Sequence, residues 1–274
     1  MDLCISSLAW NLENRYKIYS FLNERKIKYI EIVPNKISKL GLFDNYKNYI
    51  KLKNEWENFN IKAVSMQSLH FGLNDCSLFN SDEERNNLFK YTIKAMEVAN
   101  ILGIEHLVFG SPKLRIIRDN MPYNDAINIA KDFFYKISEE ASKYNIVVGI
   151  EPNSKKYNTN FLTNTTDTYN FVKEINLSNI AINLDLSTII LENENLEDSI
   201  DIVNSLNKPF HSHISIPFLK NNYDDYIDLL DKYINKLKHS KANYCSIETV
   251  IDTIDYEYNK KIIEDIISII KKII

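Results

Sequence analysis

Short apolar runs alternate with longer amphipathic segments along the whole chain. The short runs have the length, and the content of β-branched and aromatic residues, that are typical of strands buried in a parallel sheet. They predict eight strands, at residues 2–8, 28–33, 61–67, 105–109, 146–151, 180–185, 210–215 and 243–248. The intervening segments predict eight helices, near residues 14–25, 45–58, 82–101, 123–144, 165–175, 195–206, 223–238 and 257–272.

Regular alternation of strand and helix indicates a parallel sheet, and eight strands are the number that closes into a barrel. An open, doubly wound sheet is the rival arrangement. Its G-x-G-x-x-G nucleotide signature is absent, however, and the chain contains only five glycines. No linker rich in proline, glycine or serine divides the sequence. We therefore expect an α/β protein with a single (β/α)8 TIM barrel over residues 1–274.

Composition limits the classes of binding partner and the cellular compartment that we expect for this protein. The net charge is −4 at pH 7, and lysine and glutamate are spread along the predicted helices, so we expect no nucleic-acid partner. Cys4, Cys76 and Cys245 have no C-x-x-C spacing, which predicts reduced, mostly buried thiols and a cytoplasmic protein. The sequence shows neither a signal peptide nor a long apolar run, so we expect no membrane partner. Tyrosine and isoleucine on the predicted barrel helices could serve either packing within the chain or a homodimer interface, so the oligomeric state stays open.

Four polar residues each end a predicted strand in the second half of the chain. They are Glu151 in GIEP, Asp185 in NLDLS, His213 in HSHIS and Glu248 in SIET. Their spacings of 34, 28 and 35 residues are near the roughly 31 residues that one strand-plus-helix unit occupies in a barrel of about 250 residues. The four side chains are therefore expected to converge at the C-terminal ends of consecutive strands, where barrel enzymes have their active sites.

The types of these four residues predict a site for one divalent metal ion. Two glutamates, one aspartate and one histidine suit Mn²⁺, Co²⁺, Mg²⁺ or Zn²⁺ and do not choose among them. A single carboxylate at a strand end is commonly a helix cap or a salt-bridge partner. Capping, however, gives no reason for four such residues to recur at the same place in consecutive strand-helix units. Since side chains at i and i+2 of a strand point the same way, both His211 and His213 can face the barrel axis. We assign His213 as the ligand, because it lies nearer the strand end, and His211 as a substrate contact.

Further residues after the predicted strands are candidates for substrate binding. His70 either contacts substrate or caps the next segment. Glu31 is either an acceptor for a substrate hydroxyl or a salt-bridge partner. Lys113 and Arg115 carry the charge needed to bind a phosphate or carboxylate, although a solvated loop explains them equally well.

Two uncharged residues complete the candidates. Trp10 follows the first strand and could form an apolar wall for a sugar ring, with packing in the core as the alternative. Asn153 lies two residues beyond Glu151, where its amide could orient a ligand or a substrate hydroxyl.

The order of these motifs resembles that of the xylose isomerase-like TIM barrel superfamily. That group includes sugar-phosphate isomerases and epimerases, ketose 3-epimerases, inosose dehydratases and endonuclease IV. The similarity covers most of the chain and is carried by IEIVP, MQSLHFG, LVFGSPKLR, GIEPN, NLDLST, HSHISIPFL and YCSIET. The resemblance to the epimerase branch implies that the metal ligands are the same four residues, Glu151, Asp185, His213 and Glu248.

The resemblance also implies a reaction. Glu151 and Glu248 would exchange a proton with opposite faces of a carbon next to a carbonyl, through a cis-enediolate. Return of the proton to the same carbon gives an epimerase, and return to the neighbouring carbon gives an aldose–ketose isomerase. The expected protein is a metal-dependent isomerase or epimerase that acts on a sugar or sugar phosphate.

Several positions depart from the epimerase pattern. Epimerases usually place a histidine three residues after the aspartate ligand, where this chain has Thr188. A second glutamate and an arginine of the pattern are replaced by Tyr157 and Phe218. Substrate recognition is therefore expected to differ from that of free-ketose epimerases.

Other reactions on the same barrel remain as alternatives. An inosose-type dehydratase would use the same metal and base on a keto-polyol, and a non-catalytic sugar-binding barrel would keep the cavity without turnover. An endonuclease IV-type phosphodiesterase is disfavoured, because Gly110 and Thr188 occupy regions where ligands for three zinc ions would be needed and the overall charge is unsuited to DNA.

Overall fold

Eight parallel strands close into a barrel in the order of the chain, and β8 pairs with β1 to complete it. This is a computed structural model, and it describes residues 1–251 and 253–273. The strands are β1 (Asp2–Ser6), β2 (Tyr29–Ile32), β3 (Lys62–Met66), β4 (His106–Phe109), β5 (Val147–Ile150), β6 (Ile180–Asp185), β7 (Phe210–Ser215) and β8 (Ala242–Glu248). All eight predicted strands are present, and the predicted (β/α)8 TIM barrel is confirmed.

Helices surround the barrel and connect consecutive strands. The described residues form α1 (Arg15–Glu24), α2 (Pro34–Ile37), α3 (Tyr46–Asn58), α4 (Asp82–Leu102), α5 (Tyr123–Lys143), α6 (Thr165–Ile175), α7 (Leu186–Leu191), α8 (Leu196–Ser205), α9 (Ile227–Lys238) and α10 (Tyr256–Ile273). Each predicted helix overlaps one of them. The additional helices, α2 and α7, are too short to show a helical period in the sequence.

Two predicted boundaries are wrong because short 3-10 turns take the place of regular structure. The first strand ends at Ser6 rather than at residue 8, and a 3-10 turn follows at Ser7–Ala9. The helix predicted to begin at residue 223 begins as an α-helix at Ile227, after a 3-10 turn over Tyr223–Tyr226. One-turn helices of this kind are frequent connectors at the ends of regular elements.

Local capping signals fix the ends of α4, the helix after β3. The Ser81 hydroxyl accepts a hydrogen bond from the Glu84 backbone N–H at 3.1 Å, which satisfies one of the free donors of the first turn. Asp82, Glu83 and Glu84 also place negative charge at the positive end of the helix. Gly103 ends the helix with φ of 75°, a conformation that glycine adopts without steric cost.

The strands are buried on both faces, as expected for a barrel covered by helices. All six residues of β6 and all six of β7 are buried. Outside the barrel, large side chains such as Trp56, Phe134 and Tyr233 are almost fully buried in the apolar core. Cys4, Cys76 and Cys245 are free and buried, which confirms the expected thiol state.

The register of the strands brings the four strand-end residues to one level. Asp185 lies opposite His213 in the β6–β7 pair, and Ser215 lies opposite Glu248 in the β7–β8 pair. Glu151 directly follows β5, and its backbone N–H donates to Phe109 O at the end of β4, at 3.2 Å. The C-terminal rim of the barrel therefore gathers these side chains. Within the described ranges, no helix is both long and apolar enough to cross a membrane.

Candidate metal centre and cavity

The four predicted metal ligands lie together at the C-terminal end of the barrel. Glu151, Asp185 and His213 each offer one donor atom within 4.8 Å of the others. Glu248 joins this group through Oε2, which lies 3.2 Å from His213 Nδ1. His213 Nδ1 is thus the common neighbour of two carboxylates.

Two amides fix the carboxylate of Glu151. Its Oε1 lies 2.8 Å from His213 Nδ1 and accepts a hydrogen bond of 2.9 Å from Asn183 Nδ2. Its Oε2 accepts from Asn153 Nδ2 at 3.0 Å, as the sequence position of Asn153 suggested. Gly110 makes room for this arrangement, because a Cβ atom there would collide with Oε2.

Asp185 begins α7 and is held by the residues around it. Both the backbone N–H and the hydroxyl of Thr188 donate to Asp185 Oδ2 at 2.9 Å. Ser215 donates its hydroxyl to Oδ1. Thr188, which stands where epimerases usually have a histidine, therefore orients a predicted ligand.

Negative charge is concentrated at this end of the barrel. Burial, together with the charges of Glu151 and Glu248, raises the pKa of Asp185 to about 7. Burial also raises the pKa of Glu248 above its usual value, although the charge of His213 opposes the shift. The site thus disfavours simultaneous ionisation of Asp185 and Glu248.

Glu31 and His211 lie beneath the ligand group, on the side away from the cavity. Glu31 is fully buried, with Oε1 at 3.1 Å from His213 Nε2 and Oε2 at 3.3 Å from His211 Nε2. Burial raises the pKa of the Glu31 carboxyl, but the charges of His213 and His211 outweigh it and hold the pKa well below its usual value. The rings of His211 and His106 stack with centroids 5.1 Å apart.

A cavity of about 410 Å³ opens above the ligands, a volume within the range of about 300–1,000 Å³ that is usual for small-molecule sites. Its floor includes Glu151, Asp185 and Glu248, and its walls carry mostly uncharged side chains. Of the residues predicted to bind substrate, the ones that line the cavity are His70, Lys113 and Asn153. The residues of that prediction that lie outside the lining are Trp10, Glu31, His211 and Arg115.

Arg115 and Trp10 are both fully buried, Arg115 at the ends of β4 and β5 and Trp10 in the apolar core. Arg115 Nη2 donates to Gly110 O at 2.8 Å, to Glu151 O at 2.9 Å and to Asn153 Oδ1. It therefore ties the ends of β4 and β5 together. Trp10 packs edge-on against Tyr19 in the core, with ring centroids 6.3 Å apart.

Two aromatic residues stand at the positions where the epimerase pattern has polar ones. The rings of Tyr157 and Phe218 are nearly perpendicular, with centroids 5.6 Å apart. The Tyr157 hydroxyl hydrogen-bonds Ser187 Oγ at 2.8 Å and accepts from the Phe218 backbone N–H at 3.0 Å. Tyr157 lines the cavity, so an aromatic wall occupies this side of it.

Asn183, Ser215 and Gln67 also support the site, and none of them was predicted from the sequence. Asn183 and Ser215 each lie two residues from a predicted ligand on the same strand, so they face the same side. Gln67 follows β3, and its Nε2 donates to Glu31 Oε1 at 2.9 Å. Applying the two-residue period to uncharged polar residues would have found the first two.

Comparison with known proteins places the chain in a family. The family model for the xylose isomerase-like TIM barrel matches residues 21–273. No protein with a curated function matches the sequence significantly. The fold is similar to that of 3-keto-D-glucoside 4-epimerase, YcjR, from E. coli, with a TM-score of 0.78 and 15% identity over 98% of this chain and 99% of that one.

Two further solved structures share the fold. The IolI protein with a bound zinc atom has a TM-score of 0.72 and 16% identity over 100% of this chain and 99% of that one. D-psicose 3-epimerase with D-tagatose, from Clostridium cellulolyticum H10, has a TM-score of 0.71 and 14% identity over 100% and 95% of the two chains. On the family match, this chain belongs to the xylose isomerase-like TIM barrel family.

Proposed function

We propose that this protein is a divalent-metal-dependent isomerase or epimerase of a sugar or sugar derivative. The observation that carries the proposal is the placement of two glutamates around one imidazole at the cavity floor. Glu151 Oε1 and Glu248 Oε2 lie 2.8 and 3.2 Å from His213 Nδ1, and both residues line the cavity.

The residues at the cavity floor fit a divalent ion. Three carboxylates and one imidazole are a donor set for Mn²⁺, Co²⁺, Mg²⁺ or Zn²⁺, and in this proposal they come from Glu151, Asp185, His213 and Glu248. Burial and the charges of Glu151 and Glu248 raise the pKa of Asp185, and the neighbouring imidazole does not fully offset them. A divalent cation supplies the missing positive charge. The structure of the IolI protein with zinc is consistent with a metal in this family.

In the proposed reaction, the two glutamates transfer a proton at a substrate carbon next to a carbonyl. When bound, the metal ion would act as a Lewis acid that polarises the carbonyl and hydroxyl oxygens of the sugar. One glutamate removes the proton and the other returns it to the opposite face, which inverts the centre. Burial raises the pKa of Glu248, which is the direction expected for a carboxyl group that acts as an acid as well as a base.

The residues around the glutamates would keep this geometry constant during turnover. Asn183 and Asn153 hold the two oxygens of Glu151, and Arg115 holds the backbone and the amide behind them. Preorganised groups of this kind do not have to reorient as charge develops on the substrate. We assign His70 and Lys113, on the cavity wall, to contacts with substrate hydroxyl or anionic groups.

Exchange of solvent deuterium into substrate is the experiment that tests the proposal. The metal-loaded protein is incubated in D2O with a panel of sugars, keto-sugars and sugar phosphates, and label is followed by NMR. We expect exchange at a carbon adjacent to a carbonyl, and loss of that exchange after chelation. Exchange that is followed by loss of water would indicate a dehydratase. Absence of exchange, together with tight sugar binding, would indicate a non-catalytic barrel.

A further inference from the structure

Glu31 is a buried carboxylate that lies outside the lining of the cavity. It lies in β2, is 0% exposed and does not line the cavity. An isolated buried carboxylate is costly, so its partners indicate its role. Those partners are His213 Nε2 at 3.1 Å, His211 Nε2 at 3.3 Å and Gln67 Nε2 at 2.9 Å.

The imidazole of His213 joins Glu31 to the ligand group. Its Nε2 faces Glu31, whereas its Nδ1 faces Glu151 and Glu248 on the cavity side. A neutral imidazole carries one N–H and one lone pair. Both ring nitrogens of His213 thus face carboxylates. A divalent ion bound by the ligand group would take the Nδ1 lone pair, and the Glu31 carboxylate, which only accepts, would then hold the remaining proton on Nε2.

We propose that Glu31 is a positioning residue that holds His213 in the form and orientation that bind the metal ion. It acts through His213 and does not touch substrate. The inference rests on the proposed metal site. Histidines that ligate metals usually donate their other N–H to a carboxylate or carbonyl, and loss of that partner typically lowers metal affinity about 10- to 100-fold.

A second metal site is the rival explanation, because Glu31, His211 and His213 also offer donor atoms within 4.8 Å of one another. The contacts among them favour hydrogen bonding instead. Gln67 already donates to Glu31 Oε1, and Ser246 Oγ lies 2.8 Å from His211 Nε2. A metal there would also require His213 to bind through both ring nitrogens at once. The number of metal ions per chain distinguishes the two explanations.

Titration of metal-free protein with Mn²⁺ or Zn²⁺, followed by calorimetry, tests the inference. We expect one ion per wild-type chain and an affinity about 10- to 100-fold lower in Glu31→Gln, which has nearly the same shape. Glu194→Gln is the matched control, because Glu194 accepts hydrogen bonds only from Thr165 N and Ser199 Oγ among the contacts described. Its metal affinity should equal that of the wild type.

A second readout separates positioning from general destabilisation. In the zinc-loaded wild type, ¹⁵N NMR should show His213 protonated at Nε2, with that proton protected from solvent. In Glu31→Gln the signal should shift or broaden, and Glu31→Asp should recover part of the affinity if it restores the charge at Nε2. These measurements remain informative if Glu31→Gln folds poorly.

Equal affinity of the folded Glu31→Gln variant and the wild type would overturn the inference and leave the proposed function intact. Two ions per wild-type chain would overturn it in favour of a second site. A wild-type chain that binds no metal would overturn the proposed function itself.

Discussion

Individual small or uncharged residues position the carboxylates at the C-terminal rim of the barrel. Glu151 depends on the absence of a side chain at Gly110 and on the amides of Asn153 and Asn183. Asp185 depends on Thr188 and Ser215. Small and uncharged residues thus define the geometry of the charged ones.

Gly110→Ala should displace the Glu151 carboxylate, because the new methyl group would occupy the place of Oε2. We expect metal affinity to fall at least about tenfold, as for the loss of a partner that orients a ligand, while the barrel remains folded. Calorimetric titration with Mn²⁺ and circular dichroism measure the two effects. Ser111→Ala, one residue further, is the control and should retain metal affinity. Unchanged affinity in Gly110→Ala would contradict the placement of Glu151.

His70 should make the stability of the fold depend on pH. Burial lowers its pKa from 6.5 to about 3, so the ring is neutral in the fold and takes up a proton only on unfolding. Its stabilising effect is therefore complete above pH 6.5 and is lost as the pH falls from 6.5 towards 3, because the unfolded chain then binds the extra proton. The slope approaches about 1.4 kcal/mol per pH unit.

Urea denaturation of the wild type and His70→Gln at pH values between 7 and 4.5 isolates this effect. Glutamine can keep hydrogen bonds to Thr92 and Ser111, which the imidazole contacts at 3.0 and 3.4 Å. The difference in unfolding free energy between the two proteins should shift in favour of the variant as the pH falls. Parallel pH profiles would show that His70 is not buried in its neutral form.

Among the secondary-structure elements, the strands and the residues that end them were predictable from the sequence, whereas the orientation of loop residues was not. The strands were predictable because apolar runs recur at the βα period, and the polar residues that end them follow the same register. In α4, by contrast, polarity does not predict burial, because Thr92 is buried and Ile93 is partly exposed. The direction of a loop residue such as Arg115 depends on contacts distant in sequence, and its charge alone suggested an anion site.

Arg115→Lys tests the tie between β4 and β5. One guanidinium nitrogen, Nη2, lies within hydrogen-bond distance of Gly110 O, Glu151 O and Asn153 Oδ1. The lysine side chain is one bond shorter, so its ammonium group cannot take the same place without a shift of the buried chain. We expect a loss of about 1–3 kcal/mol in unfolding free energy, since buried acceptors lose their donor. Arg118→Lys, at an exposed position of the same loop, is the control. Equal stability of both variants in urea would show that Arg115 does not tie the strands.

At the scale of the whole molecule, the barrel gathers four acidic or basic residues from four strands that are distant in sequence. Closure of the sheet and the strand register make this possible, and both follow from the predicted fold. The contacts beneath the rim, such as Glu31 with His213, link β2 to β7 across the barrel axis and leave no local signal in the sequence. The position of the cavity was therefore predictable. For Glu31 and Trp10 the structure has the alternatives that the sequence left open, a salt-bridge partner and core packing, whereas the buried role of Arg115 was not predicted.

Binding of a divalent ion should stabilise the whole barrel, because the ion binds the folded chain and offsets the repulsion among its carboxylates. The gain is about 2.7 kcal/mol at a free metal concentration 100 times Kd. Calorimetric melting with and without Mn²⁺ should show a higher midpoint with the metal. In Asp185→Asn the metal-dependent increase should be much smaller. An identical midpoint with and without metal would contradict the metal centre.

In the proposed reaction, Glu151 and Glu248 transfer a proton on opposite faces of one carbon. Deuterium exchange by the metal-loaded Glu151→Gln and Glu248→Gln variants, on a substrate that the wild type interconverts, tests it most directly. We predict that each variant loses interconversion by at least about 10²-fold, the usual contribution of a general acid or base, and that the remaining glutamate still exchanges the hydrogen of one epimer. Interconversion at the wild-type rate in either variant, with metal bound, would contradict proton transfer by this pair of glutamates.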